Sequence, residues 1–416
     1  MLARLQALHP FKTPDGKRLA VLFGIVYFAQ GMWYLPNQTI TISLKDGGLS
    51  AGQVATFFAI TTVPWLIKPL YGLLSDFVPL FGYHRKSYLM LTSGTATAAG
   101  LLLGVTGDHS YWRMAAFVTI MALGLAFTDV LVDALMVENG KPMGLTGAFQ
   151  SVQWGAITTA SILVGELGGY LAEHRWLHAA FFLAACFPLV SLLMAALFVR
   201  EAPARTDREG LRTTWTSIRQ ALREREVWVV GGFILFWTFS PSFGPALLYY
   251  QTDHLHFSQQ FIGHLGAIAA VAGVAGAFIY APLSRRVPLT RLINLAIGFA
   301  VAGTLAYLLY RGHVSALVID VVFGCVGMII QLAFLDLAAK SCPRHVEATF
   351  FALLMSVYNG GTQISQNVGG RLYDSFGYVP LVLISTAFTA AAWLLVPLVR
   401  IDRIEAKAKR AQVPVS

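Results

Sequence analysis

The chain has 416 residues, of which 56% are hydrophobic and only 12% charged. Ordinary globular domains carry roughly a quarter charged residues, so this composition excludes a soluble fold of such length. The net charge of +9 need not mean nucleic acid, because the basic residues lie beside apolar runs where anionic lipid headgroups can meet them.

Apolar runs of roughly twenty residues recur from end to end, each able to cross a hydrocarbon core of about 30 Å. In chain order, membrane spans are expected at 19–43, 51–75, 87–107, 113–137, 146–171 and 177–199. Six more follow at 227–251, 259–281, 291–310, 315–339, 348–371 and 379–399. All must be helices, because lipid cannot satisfy open backbone donors and acceptors. The stretch before span 1 lacks an apolar core, so span 1 itself is expected to direct insertion in place of a cleaved signal. Most of the 30 Lys and Arg fall on one side, with Arg85, Lys86, Lys141, Arg286, Lys340 and the seven Arg between spans 6 and 7. The positive-inside rule therefore predicts cytoplasmic N- and C-termini in a multi-pass protein of the inner membrane. Cys186, Cys325 and Cys342 lack metal-ligand spacing, and inert thiols are expected.

A basic linker over 200–226 separates an N-terminal half, 1–199, from a C-terminal half, 227–416, and the two halves repeat weakly. Tyr71-Gly-Leu-Leu-Ser75 after span 2 reads like Tyr280-Ala-Pro-Leu-Ser284 after span 8, and the same shift lays Pro36 on Pro245. A slightly smaller one lays Asp133 on Asp336, Lys141 on Arg344, and Gly168-Gly169 on Gly369-Gly370. This order predicts an all-α membrane protein of twelve transmembrane helices in two pseudo-symmetric six-helix bundles. That is the plan of the major facilitator superfamily, whose solute site lies near the midplane. The linker itself reads either as an amphipathic helix on anionic headgroups or as a solvated loop.

Ionisable residues inside the bilayer are the sharpest chemical clue, since each costs on the order of 2.5–3.5 kcal/mol near a helix centre. Asp129 and Asp133 lie four apart on span 4, hence on one face. Lys68, in span 2, falls at a depth similar to that of Asp129 and suggests a Lys68–Asp129 pair. Such a carboxylate either binds and releases a driving proton or sits in a permanent salt bridge. Asp133 and Asp336, with Asp76, Arg85, Lys86, Glu138 and Glu347, read as charges that fix or gate the inner face. Glu166 and Asp320, near outer helix ends, are expected simply to reach water. His264 reads as a packed polar residue.

Asn359, Gln363 and Asn367 recur every four residues on span 11, forming a polar stripe that either bonds neighbouring helices or lines a cavity. Spans 1 and 7 are interrupted at corresponding places, at Gln30-Gly-Met-Trp33-Tyr34-Leu-Pro36-Asn37 and Trp237-Thr-Phe239-Ser-Pro241-Ser-Phe243-Gly-Pro245. Paired breaks point to a transporter's site. Gln30, Trp33, Tyr34, Asn37, Trp237 and Phe243 are therefore candidates to stack on and hydrogen-bond a flat heteroaromatic solute. Interfacial anchoring is the alternative for the Trp and Tyr.

Several of these segments resemble signature regions of the folate–biopterin transporter family: Lys45-Asp46-Gly-Gly-Leu49-Ser50, PWLIKPLYGLLSD over 64–76, and GYHRKSYL over 82–89. Cys342-Pro343 through Asn359 is similarly characteristic, with Asp129-Val-Leu-Val-Asp133 between. The looser facilitator signature is present as Gly72, Asp76, Arg85 and Lys86. The resemblance implies transport of folates or reduced pterins, commonly with protons.

No GxxxxGK[ST], HExxH or GxSxG pattern occurs, so neither ATP hydrolysis nor an enzyme is expected. The sequence thus predicts a secondary transporter for a folate- or pterin-like solute. Its partners are expected to be protons and membrane lipids, with no cofactor, metal or nucleic acid, and a monomeric state. Open alternatives are a carrier of a different solute on the same fold and a non-transporting assembly or scaffold protein.

Overall fold

The computed structural model describes residues 11–204, 206, 208–223, 225–342 and 347–412. Helices dominate them. In chain order they are α1 Pro14–Gly31, α2 Asn37–Asp46, α3 Ala51–Leu66, α4 Lys68–Phe77, α5 Lys86–Val105, α6 Tyr111–Met143, α7 Thr146–Glu173 and α8 Leu177–Phe198. The linker holds α9 Arg208–Ala221, followed by α10 Arg225–Thr238, α11 Pro245–Asp253, α12 Gln259–Arg286, α13 Leu289–Ala306 and α14 His313–Ser341. The chain continues through α15 Glu347–Phe376, α16 Tyr378–Ala391, the short α17 Val396–Val399 and α18 Ile401–Gln412.

Every expected span coincides with helix, the largest difference at an end being at Met143, followed by Pro14, Arg286 and Phe376. Spans 1, 2 and 7 are each divided. A 3-10 turn at Met32–Tyr34 precedes Pro36 in span 1, and Ile67 interrupts span 2 between Pro64 and Pro69. Among the described residues, nine helices are long and apolar enough to cross a membrane. The helices at spans 5, 7 and 11 fall outside that group, being polar or broken.

Contacts group the chain into two compact units, one holding the residues up to Ile40 with Leu70–Arg208, the other Thr41–Pro69 with the residues from Glu209 onward. In the first unit α1 packs on α7, and α5 on α6 and α8. Small residues permit the approach: a Cβ on Gly124 of α6 would stand 2.4 Å from the Thr92 carbonyl of α5. In the second unit α12 packs on α14 in the same manner, with Gly276 against the Cys325 carbonyl.

One capping device closes an end of both units. In the first, the Glu201 carboxylate accepts the His84, Arg85 and Lys86 amides at the start of α5. In the second, Glu405 of α18 accepts the Leu289 amide at 3.1 Å, and Asp402 the Thr290 hydroxyl. Negative charge at these helix starts satisfies orphan donors and complements the helix dipole. Helix α18 is absent from the hydropathy reading because it is mostly polar, yet its Ile401 and Ile404 are buried.

Candidate functional site

Gly31 sets the first unit's site. Its missing side chain lets α1 press on α7, where a Cβ would stand 2.5 Å from that of Ala160. With that face committed, Tyr27 and Gln30 turn to α6. Gln30 donates through Nε2 to Asp129 Oδ1 at 2.6 Å, both residues being 6% exposed. Tyr27 donates its hydroxyl to Asp133 Oδ1. An i,i+3 pair on one helix thus meets an i,i+4 carboxylate pair on another. Gln30 Oε1 is buried with no hydrogen-bond partner among the described residues. The amide can therefore donate to an ionised Asp129 or, turned over, accept from a protonated one.

Nearer the Glu201 cap, the structure brings together Asp76, Arg85 and Glu138. The Arg85 guanidinium reaches Glu138 Oε1 at 2.6 Å, Asp76 Oδ1 at 2.5 Å and Ser75 Oγ at 2.7 Å. Burial is the largest single influence on Arg85 and opposes its charge. Glu138 and Asp76 outweigh it and hold the guanidinium above its ordinary range. Lys86 contributes its backbone amide to Glu201. Of the remaining candidates in this unit, Trp33 is buried, Tyr34 is 49% exposed and Asn37 opens α2 half-buried.

In the second unit the broken span 7 rests against α15. Gly244 holds φ at +43°, in the left-handed region that favours glycine, and Pro245 restarts the helix. Carbonyls freed by the break find hydroxyls on neighbouring helices: Ser365 donates to Ser240 and Ser385 to Pro241. Trp237 stacks on Phe334 at 4.3 Å, and Phe243 lies against Tyr307 at 4.7 Å. A Cβ on Gly369 would stand 1.8 Å from the Ser242 carbonyl, while one on Gly168 would stand 3.1 Å from that of Leu35. One glycine of each repeated pair therefore sits where its unit's broken helix presses a carbonyl on its neighbour.

On the polar stripe of α15, Asn367 donates to Thr56 Oγ1 of α3 at 2.6 Å. Gln363 buries an unpartnered Oε1 among the described residues, and Asn359 is half-buried. Asp336 accepts from Lys340 at 2.7 Å and from the Tyr280 hydroxyl at 3.3 Å. Lys68 also belongs to this unit, with its Nζ 4.7 Å from the ring centroid of Trp65. The Glu347 side chain lies outside the described residues, as do 343–346 of the expected motif.

Two features escaped the sequence. Asp320 does not simply reach water: it accepts from Tyr310 at 2.9 Å, and Tyr310 in turn accepts from Gln251 at 2.6 Å. Tyrosines one turn before α14 carry no pattern that would have signalled this. The Lys45–Ser50 motif proves to be a latch within the second unit. Lys45 pairs with Asp253 at 2.5 Å, and Ser50 Oγ and the Gly52 amide donate to Asp374 at 2.6 and 2.9 Å. Asp374 thereby adds to the capping box that Ser50 and Gln53 form at the start of α3.

Over residues 30–401 the chain matches the BT1 family. It is 32% identical to the folate-biopterin transporter of Synechocystis sp. (strain ATCC 27184 / PCC 6803 / Kazusa), covering 88% of this chain and 76% of that protein. Probable folate-biopterin transporter 4 of Arabidopsis thaliana is 26% identical, covering 89% of this chain and 91% of its own. Among solved structures, a POT family transporter in complex with 5-aminolevulinic acid superposes with a TM-score of 0.72 at 12% identity. That likeness covers 97% of this chain and 99% of the other, and it shows the fold.

Proposed function

The chain belongs to the BT1 family of multi-pass membrane transporters, and from that premise we propose that it carries a folate or related pterin, coupled to protons, by alternating access. The family and its relatives are transporters, so an enzyme is excluded on that ground. The cargo reading draws on the names of the relatives. The coupling reading is carried by one observation, the buried Asp129 held by the neutral amide of Gln30. Protonation of such a carboxylate on one side of the membrane, with release on the other, would give a solute carrier its direction. Gln30 serves both protonation states by turning its amide, while Asp133 stays fixed by Tyr27. Lys68 is the cation proposed to balance the ionised state.

In this reading twelve spans form the halves 1–199 and 227–416, with the 200–226 linker and both termini in the cytoplasm of an inner membrane. Arg85, with Asp76 and Glu138, fixes the inner ends of the first-half helices. Gln30, Trp33, Tyr34, Asn37, Trp237, Phe243, Asn359, Gln363 and Asn367 are proposed to face the solute during the cycle.

Radiolabelled folate and biopterin uptake into proteoliposomes, with and without an inward proton gradient, tests it. Saturable uptake of either solute that rises with the gradient is the expected result. Saturable uptake without gradient dependence would remove the proton, and no uptake of either solute by folded protein would remove the cargo.

A further inference from the structure

Helix α9 has no part in the transport machinery described above, yet its surface is distinctive. Leu211, Trp215, Ile218 and then Leu222 recur every three or four residues, which gathers them on one face. The first half of that face stands uncovered among the described residues, with Leu211 36% and Trp215 58% exposed, while Ile218 is half-buried and Leu222 packs against Val227 and Phe350. Arg212 and Arg219 are exposed, and at about 100° per residue they flank the apolar stripe on one side. Exposed Arg223 follows the helix.

Both ends of the segment are tethered beside apolar helices, the membrane-length α8 before it and the shorter α10 after it. Before it, the Ala204 amide donates to the Gly82 carbonyl at 2.8 Å, just after α8 ends at Phe198. Beyond it, the Trp228 indole donates to the Leu222 carbonyl at 2.7 Å, in the first turn of α10. Trp228 is itself 65% exposed, in the position of an interfacial anchor. A helix so placed has a membrane surface within reach. Its pattern of an apolar stripe, a central indole and flanking guanidinium groups suits headgroups better than water.

We infer that α9 is an interfacial helix that seats Leu211 and Trp215 at the acyl boundary and sets Arg212, Arg219 and Arg223 on the phosphates of anionic phospholipid. The inference rests on the multi-pass reading and is independent of the cargo and of the coupling ion.

Hydrogen exchange of the full-length protein in nanodiscs tests it without a transport assay. Discs of phosphatidylcholine alone are compared with discs doped with phosphatidylglycerol, following peptides that cover 208–222. Exchange there should slow in the anionic discs, by about fivefold for each arginine engaged. The combined variant Arg212→Gln, Arg219→Gln should lose most of that lipid dependence, and Trp215→Ser should speed exchange in both discs. Unchanged exchange in the spanning helices of each variant serves as the folding control. Equal exchange of 208–222 in the two discs overturns the inference, as does a lipid effect that survives the arginine substitutions. Equally strong protection in detergent without lipid would mean that protein covers the stripe, and would also overturn it.

Discussion

Helix α6 of the first unit and α14 of the second occupy equivalent places in the repeat, yet their carboxylates differ. At the shared position both carry aspartate, Asp133 and Asp336, and each accepts a tyrosine hydroxyl, from Tyr27 and Tyr280. One turn earlier the match ends: α6 has Asp129, whereas the residue aligned with it on α14 is Leu332. Cation supply differs as well. Glu138 of α6 takes Arg85 from outside its helix, while Asp336 pairs with Lys340 of its own. Duplicated charges mark what both units need to hold their helices together. The unduplicated Asp129 is where the first unit departs from its copy, and a departure that costs energy in hydrocarbon is the reason to propose it as the coupling group.

Exchanging the two residues breaks the comparison with the largest effect. Asp129→Asn keeps the shape and the bond to Gln30 but cannot cycle a proton. Gradient-driven uptake should fall to the level of empty vesicles, while solute exchange without a gradient persists. Loss of both activities in folded protein would instead make Asp129 a binding or structural group. The converse, Leu332→Asp, brings a carboxylate to a half-buried position packed against the second unit's core. It should cost roughly 2.5–3.5 kcal/mol, read as a lowered Tm in detergent, with no new proton dependence of uptake.

The repeated glycines sharpen the comparison at the next level. Gly369→Ala drives a methyl into the Ser242 carbonyl, a backbone atom of the break in span 7 that has little room to yield. It should destabilise by about 1–3 kcal/mol. Gly168→Ala meets the Leu35 carbonyl at a tight but tolerable 3.1 Å and should cost less. Equal Tm losses would mean that the break of span 1 is as rigidly held as that of span 7.

Much of this was legible before the structure. Long apolar runs have one solution in lipid, so helices stand where the runs predict them, and the proline-bearing breaks at Pro36 and Pro245 are visible as composition. Asp129 and Asp133 stood out because carboxylates are rare in such runs, and their i,i+4 spacing put them on one face. What the sequence left hidden depended on partners far apart in the chain. Gln30 stands out at the break of span 1, but its bond to Asp129 depends on α7 fixing the orientation of α1. Asp374 lies 324 residues from Ser50, and no local pattern links them. Asp320 sat near a helix end, where water was the simplest partner, and two tyrosines from the preceding turn took that place instead. Helix α18 escaped because its buried residues among those described, Ile401 and Ile404, are spaced for a surface helix and do not form a run.

The smallest effect concerns the two tyrosines at the shared aspartates. Both are largely buried, and both donate to a carboxylate from a different helix. Interhelical bonds of this kind average about 0.6 kcal/mol in membrane proteins, with a maximum near 1.7. Tyr27→Phe should fall in the upper part of that range. Tyr280→Phe should cost less, because Asp336 keeps Lys340 at 2.7 Å while its bond from Tyr280 is long at 3.3 Å. The difference belongs to Lys340, so it should vanish with it: in a Lys340→Gln background Tyr280→Phe should become as costly as Tyr27→Phe. A double-mutant cycle on Tm reads that coupling directly. If Tyr280→Phe costs the same with and without Lys340, the ammonium does not substitute for the hydroxyl. The shared aspartates would then depend on their tyrosines alike in both units, and Asp129 would stand as the main difference between their carboxylates.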